Sequence, residues 1–134
     1  MTIQKVSLPI RPYLKPRGAL GKHGNMTHSI GYYRKWQEGF KKHIASTSFY
    51  VPPDFYAIVF QFKLASRSGG KPDLSNLQGG VEDALVKHKY IPDHNWKILQ
   101  RYYTCGTPAS ISSIELYICQ SKKELIYIIE KFTE

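Results

Sequence analysis

The sequence predicts an α+β fold: a mixed β-sheet with helices packed on it, in the order β-α-β-α-β-β-α. Three patterns predict it. Residues 56–65 alternate Ile58, Phe60, Phe62 and Leu64 with Val59, Gln61 and Lys63, the period of a strand. Residues 30–45 and 121–132 carry apolar stripes at helical spacing. Between the strands, Leu74, Leu77, Val81 and Leu85 repeat the helical period after a Gly/Ser/Lys loop. Clustered strands with separated helices make a layered domain. At 134 residues the chain is a single domain, 1–134, able to bury a core without staples.

Ile3, Val6 and Leu8 mark a short first strand over 2–8, ended by Pro9 and Pro12. Residues 10–28 predict a long basic loop. Gly18, Gly21 and Gly24 and the nearby prolines break regular structure, and Arg11, Lys15, Arg17 and Lys22 interleave with Tyr13. A loop this long in a small domain is functional or disordered. Bases mixed with a ring suit a nucleic-acid strand, where charge tracks phosphate and the ring stacks on a base. Ser29 is a candidate cap for a helix over 30–45. Tyr33, Trp36, Phe40 and Ile44 make its core stripe, while Arg34, Lys35, Lys41 and Lys42 fall mostly elsewhere, facing water or a phosphate backbone.

Pro52-Pro53-Asp54 breaks the chain before the strand at 56–65. Residues 66–72 are flexible by composition, and Arg67 and Lys71 stand beside the helix that follows. After that helix, Pro92-Asp93-His94 turns the chain back. A strand over 96–104, with Trp96, Ile98, Gln100 and Tyr102 on one face, is expected to pair antiparallel with 113–119 through a Gly106-Thr107-Pro108 loop. Ser121-Lys122-Lys123-Glu124 is a capping box. It opens a last helix whose Leu125, Ile128, Ile129 and Phe132 dock on the sheet or, as the alternative, on a second subunit.

The net charge is +9, and its distribution says more than its size. Residues 1–42 hold nine Lys/Arg against Glu38 alone, whereas the remaining 92 residues are nearly balanced. The excess is one N-terminal block, which draws a polyanion because phosphate neutralisation releases counterions. The plain alternative is a solvated basic surface. No apolar run approaches ~20 residues, so no membrane span is expected, and the N-terminus lacks the apolar region of a secretory signal. Cys105 and Cys119 are too few for a disulfide framework and read as reduced.

Asp73 stands where an N-cap belongs. Asn76, Gly79, Gly80 and Asp83 then share one helical face, which offers an amide, bare backbone and a carboxylate instead of a core stripe. Asp73-Leu74-Ser75-Asn76-Leu77-Gln78, then Glu82-Asp83-Ala84-Leu85, then Pro92-Asp93-His94 resembles the RusA family of Holliday junction resolvases. That family's signature is Asp-x-Asp-Asn-x-x-Lys, then Asp-Ala-Leu, then an Asp-Asp pair. The sequence departs from it at three points. Ser75 stands at the second aspartate, Gly79 at the lysine, and His94 at the second acid of the pair.

The resemblance implies a metal-dependent, structure-selective endodeoxyribonuclease of DNA recombination and repair. It implies a homodimer acting on branched or four-way DNA, in the cytoplasm of a bacterial or phage-infected cell. In the family the acids at the positions of 73, 75 and 94 and the lysine at 79 are implicated in catalysis, so Asp73 alone is retained outright. Phosphodiester hydrolysis needs charge neutralised on the phosphoryl oxygens and an activated water, and carboxylates holding Mg²⁺ supply both. Mg²⁺ often needs only one or two carboxylates. Asp73 and Asp93 meet that minimum only if residues 88–94 double back along the helix. Asp83 is the other candidate acid, midway along it, and His94 is a candidate base or a ligand better suited to Mn²⁺ or Zn²⁺ than to Mg²⁺. The expected DNA contacts are Arg11, Lys15, Arg17, Lys22, Arg34, Arg67, Lys71 and Asn76. Competing expectations are a DNA-binding protein on the same fold without cleavage, an RNA-binding protein, and a nuclease subunit completed by a partner.

Overall fold

A computed structural model describes residues 3–13, 27–65, 73–92 and 101–132, the side chains of 27–30 excepted. The elements are β1 (Gln4–Leu8), α1 (Thr27–Ala45), β2 (Ala57–Leu64), α2 (Leu74–Lys87), β3 (Tyr102–Pro108), β4 (Ser113–Cys119) and α3 (Lys122–Phe132), an α+β order of β-α-β-α-β-β-α. The strands form one mixed sheet in the order β1-β4-β2-β3. β2 pairs antiparallel with β4 and parallel with β3, and β1 pairs antiparallel with β4.

Side-chain alternation builds the two faces. Ile58, Phe60 and Phe62 of β2 point inward with Val6, Leu8, Ile114, Leu116 and Ile118. α1 contributes Phe40 and Ile44 to this core, and α2 contributes Leu77, Val81, Ala84 and Leu85. Ala57 and Val59 point to the other face, where Tyr117, Cys119, Leu125 and Ile128 form a second core under α3. The last helix therefore docks on the sheet. Its capping box forms, since the Ser121 hydroxyl accepts from the Glu124 N–H at 3.2 Å. The Glu124 carboxylate accepts from the Gln120 N–H at 2.9 Å, one residue before the cap.

Two sequence expectations are corrected. α1 starts at Thr27, so Ser29 lies inside its first turn and is not its cap. The stretch 25–29 holds several capping residues, and the start of a helix among them is weakly fixed by sequence. The second correction is larger. β3 and β4 do not form a hairpin, because β2 lies between them. β2 is buried on both faces for most of its length, so it takes an inner position and needs a partner on each side. β3 meets it through the β2-α2-β3 crossover, and Gly106-Thr107-Pro108 continue the strand instead of turning it, with Leu64 opposite Pro108.

Gly106 has a specific reason to be glycine. A Cβ there would stand 2.9 Å from Cδ2 of Leu74 in the first turn of α2. Cys105 and Cys119 are free, on strands separated by β2. Burial pushes both thiols up, Cys119 to about 11, with the Glu124 charge adding there. No helix among the described residues is long and apolar enough to cross a membrane.

Candidate active site

α2 begins where Asp73 caps it. The exposed carboxylate accepts through Oδ1 from the Ser75 N–H at 3.0 Å and the Asn76 N–H at 3.3 Å. The Ser75 hydroxyl donates to the same oxygen at 2.7 Å. A second acid at 75 would place like charges together, whereas serine adds a donor to the cap. The loop-to-helix junction lies at the end of the sheet where parallel strands β2 and β3 finish, with Leu74 resting on Gly106. In parallel β-α-β units this is the usual position of ligand sites.

The shared face of Asn76, Gly79, Gly80 and Asp83 is not an open platform. Gly80 is buried, and its carbonyl accepts the Tyr33 hydroxyl of α1 at 2.7 Å. The backbone at Gly80 is thus engaged by α1. Asp83 is half-buried beside the same tyrosine. Burial, and then the Asp83 charge, push the Tyr33 hydroxyl well above the usual phenol range, so it stays a donor. Asp83 lies ten residues beyond Asp73, about 15 Å along the helix, too far to share one ion with it.

The far end of α2 is a Schellman turn. Tyr90 N–H donates to Leu85 O at 2.8 Å and Lys89 N–H to Val86 O at 3.0 Å, with Lys89 left-handed at φ 64°. Lys87 approaches Gln37 Oε1 at 3.3 Å and the Glu38 carboxylate at 3.8 Å on α1, so it does not reach Asp73. Pro92 lines a cleft at this end with Val86, Tyr90 and Arg101. As far as Pro92 the chain does not double back along α2. Asp93 and His94 lie outside the described residues. Among the described residues no three His, Cys, Asp or Glu side chains converge into a metal-binding group.

Of the expected DNA contacts, Arg11 and Arg34 are exposed and Asn76 is half-buried. Lys15, Arg17, Lys22, Arg67 and Lys71 lie outside the described residues. The Trp36 indole donates to the Arg11 carbonyl at 2.7 Å, which ties the start of the basic stretch to α1. Tyr13 is not presented for stacking on a base. It is half-buried against Tyr33 and Trp36, with ring centroids 6.0 and 6.3 Å away. α1 and α2 run in the same direction, since Tyr33 meets Gly80 and Gln37 meets Lys87. Exposed Arg34 and Lys35 thus stand nearer the Asp73 end than Lys41 and Lys42 do.

Sequence reasoning missed two polar networks. Between α2 and β3, the Gln78 amide donates to buried Glu82 at 2.6 Å, and the Thr104 hydroxyl bonds to Gln78 Oε1. The Tyr102 hydroxyl is buried nearby without a hydrogen-bond partner among the described residues, and it is pushed up by burial, then by the Glu82 charge. On the opposite face of the sheet, Glu115 meets Lys5 at 2.9 Å, Lys63 at 3.5 Å and the Ser7 hydroxyl at 3.2 Å. Beside it, Gln61 donates to Thr107 at 2.7 Å and leaves Oε1 buried without a partner among the described residues. The available signal was a polar residue set inside an apolar strand, as in Phe60-Gln61-Phe62 and Ile114-Glu115-Leu116. No protein-family model matches the chain, and no curated protein matches it.

Proposed function

We propose that the chain is a RusA-like, metal-dependent endonuclease that acts on branched DNA, with Mg²⁺ or Mn²⁺ as cofactor and as a homodimer. The observation that carries this reading is the exposed Asp73 carboxylate capping α2 at the strand ends, in the sequence Asp73-Leu74-Ser75-Asn76. Exposed Arg34 and Lys35 support it by placing positive charge on the same half of the helix pair. The donor set fits a hard cation in part. Asp73 brings one carboxylate, which is within what Mg²⁺ accepts when waters and substrate oxygens complete its shell. Asp93 and His94 are the proposed second ligand and base, outside the described residues. A bound ion would neutralise phosphoryl charge and activate water. The chain's own part is to hold Asp73 still through its three local hydrogen bonds and to grip the DNA backbone with exposed bases.

A second reading is binding to branched DNA without cleavage. The Ser75 hydroxyl favours it, because a neutral donor sits against Asp73 where the family has a second charge. One experiment separates the two. The purified chain is incubated with a labelled four-way junction in Mg²⁺ or Mn²⁺, beside Asp73→Asn. The nuclease reading expects nicks that fall by about 100-fold or more in the variant while binding persists. An unchanged rate removes Asp73 as a ligand. Salt-sensitive binding with no product in either metal establishes the second reading, and no preference for DNA over RNA removes both.

A further inference from the structure

The two edges of the sheet differ in a way that points to a partner. β1 is five residues long, carries Lys5 and is followed by Pro9. These are features that discourage another strand from pairing. β3 is seven residues long, and from Tyr102 to Thr107 it has no charged side chain. Among the described residues its register leaves one set of backbone groups unused. Ile58 N–H donates to Arg101 O, and Ala109 N–H to Leu64 O. The odd-numbered residues of β3 therefore face β2, and Tyr102, Thr104 and Gly106 turn their N–H and C=O groups outward. Pro108, which lacks an N–H, falls in this outward series at the end of the strand. No described strand lies beyond β3, and Gly106 and Tyr103 are exposed.

We infer that the β3 edge pairs antiparallel with β3 of a second copy of this chain, which makes one sheet of eight strands across a two-fold axis. Centring the axis on Thr104 sets Thr104 opposite itself and Tyr102 opposite Gly106 of the partner subunit. Every outward amide is then used, giving roughly six interstrand bonds. A two-fold needs a self-complementary patch, and an uncharged edge that offers the same groups in both directions is one. The dimer also has a consequence for the helices. α2 runs antiparallel to the β3 it covers, with Leu74 over Gly106 and Gln78 over Thr104. Pairing β3 with its copy sets the two α2 helices side by side in opposite directions. Asp73 of one subunit then stands at the same end as Pro92 of the partner subunit. The inference rests on the sheet edge and holds whether or not the chain cleaves DNA.

The test is sedimentation of the full chain at micromolar concentrations, with two variants. The wild type is expected at twice 15.4 kDa. Thr104→Pro removes an outward N–H, a change that a free edge tolerates, and is expected to weaken dimerisation by about tenfold or more. Tyr103→Cys faces Cys105 of the partner subunit as a non-hydrogen-bonded pair, Cα atoms about 4.5 Å apart and within disulfide reach. Mild oxidation is expected to give a covalent dimer that disappears when Cys105→Ser is added. A wild type that stays monomeric at every concentration overturns the inference. So does a dimer from which Tyr103→Cys gives no crosslink. Should Thr104→Pro fail to fold, or disagree with the crosslink, the crosslink decides.

Discussion

Phe60 and Gln61 are adjacent in one strand and fully buried, yet they face two different environments. Phe60 points at α1 and α2, where it meets Tyr102 edge-on with ring centroids 5.5 Å apart in a continuous apolar core. Gln61 points at the other face, where α3 covers the end occupied by Ala57, Val59, Tyr117 and Cys119. Beyond that second core the surface turns polar, with Glu115 held between Lys5 and Lys63 across three strands. One face is held by shape and dispersion, the other by hydrogen bonds and charge. The same strand answers both because consecutive side chains alternate.

Three substitutions break or sharpen that contrast. The largest effect is expected from Phe60→Ala, a loss of about 3–5 kcal/mol read by chemical denaturation, because it opens a cavity that the two helices cannot fill. Glu115→Gln is expected to cost about 1–2 kcal/mol, less than for a wholly buried pair because both lysines keep contact with water. Its cost depends on pH. Burial alone would raise the Glu115 carboxyl, but the hydrogen bond from Lys5, the charges of Lys5 and Lys63 and the Ser7 hydroxyl outweigh it and hold the group below its usual range. A depressed carboxyl contributes stability above its unfolded value and loses it as pH falls through the folded value. Wild type and variant should therefore converge in acid. Lys5 is shifted upward, chiefly by its hydrogen bond to Glu115, so its share persists below its unfolded value and fades only as pH rises through the folded one. A gap that stayed constant from neutral pH into acid would mean that Glu115 packs more than it pairs. The smallest effect is expected from Gln61→Leu, a gain of up to about 1 kcal/mol, since it removes a buried oxygen that has no donor among the described residues. A loss there would show that the Gln61–Thr107 bond matters more than the orphaned oxygen.

Most of the fold could be read from periodicity. The alternation at 56–65 and the stripes of Phe40 and Ile44, Leu77 and Val81, and Leu125 and Ile128 each placed an element and its buried face, because burial imposes those spacings locally. Sheet order could not be read, since strand pairing depends on which strand needs two neighbours, and the short link from β3 to β4 looked like a hairpin. At the candidate site the Asp73 cap was legible because capping is local. The glycines at 79 and 80 were ambiguous. Sequence does not say whether backbone there meets a ligand or a neighbouring helix, and at Gly80 the carbonyl is taken by the Tyr33 hydroxyl of α1. Glu115 stayed hidden because its partners come from other strands, and Glu82 because its burial depends on β3, although Gln78 lies one turn away in the same helix.

Gly106 sits far from the Asp73 motif in sequence, yet its missing side chain leaves the space that the Leu74 side chain of α2 fills over β3. It works as a spacer. A methyl group added at that position would meet the Cδ atoms of Leu74, the flexible end of that side chain, which would have to turn aside to admit it. Related chains should therefore treat 74 and 106 as one joint: where bulk appears on the strand, the side chain at 74 should shrink or swing aside.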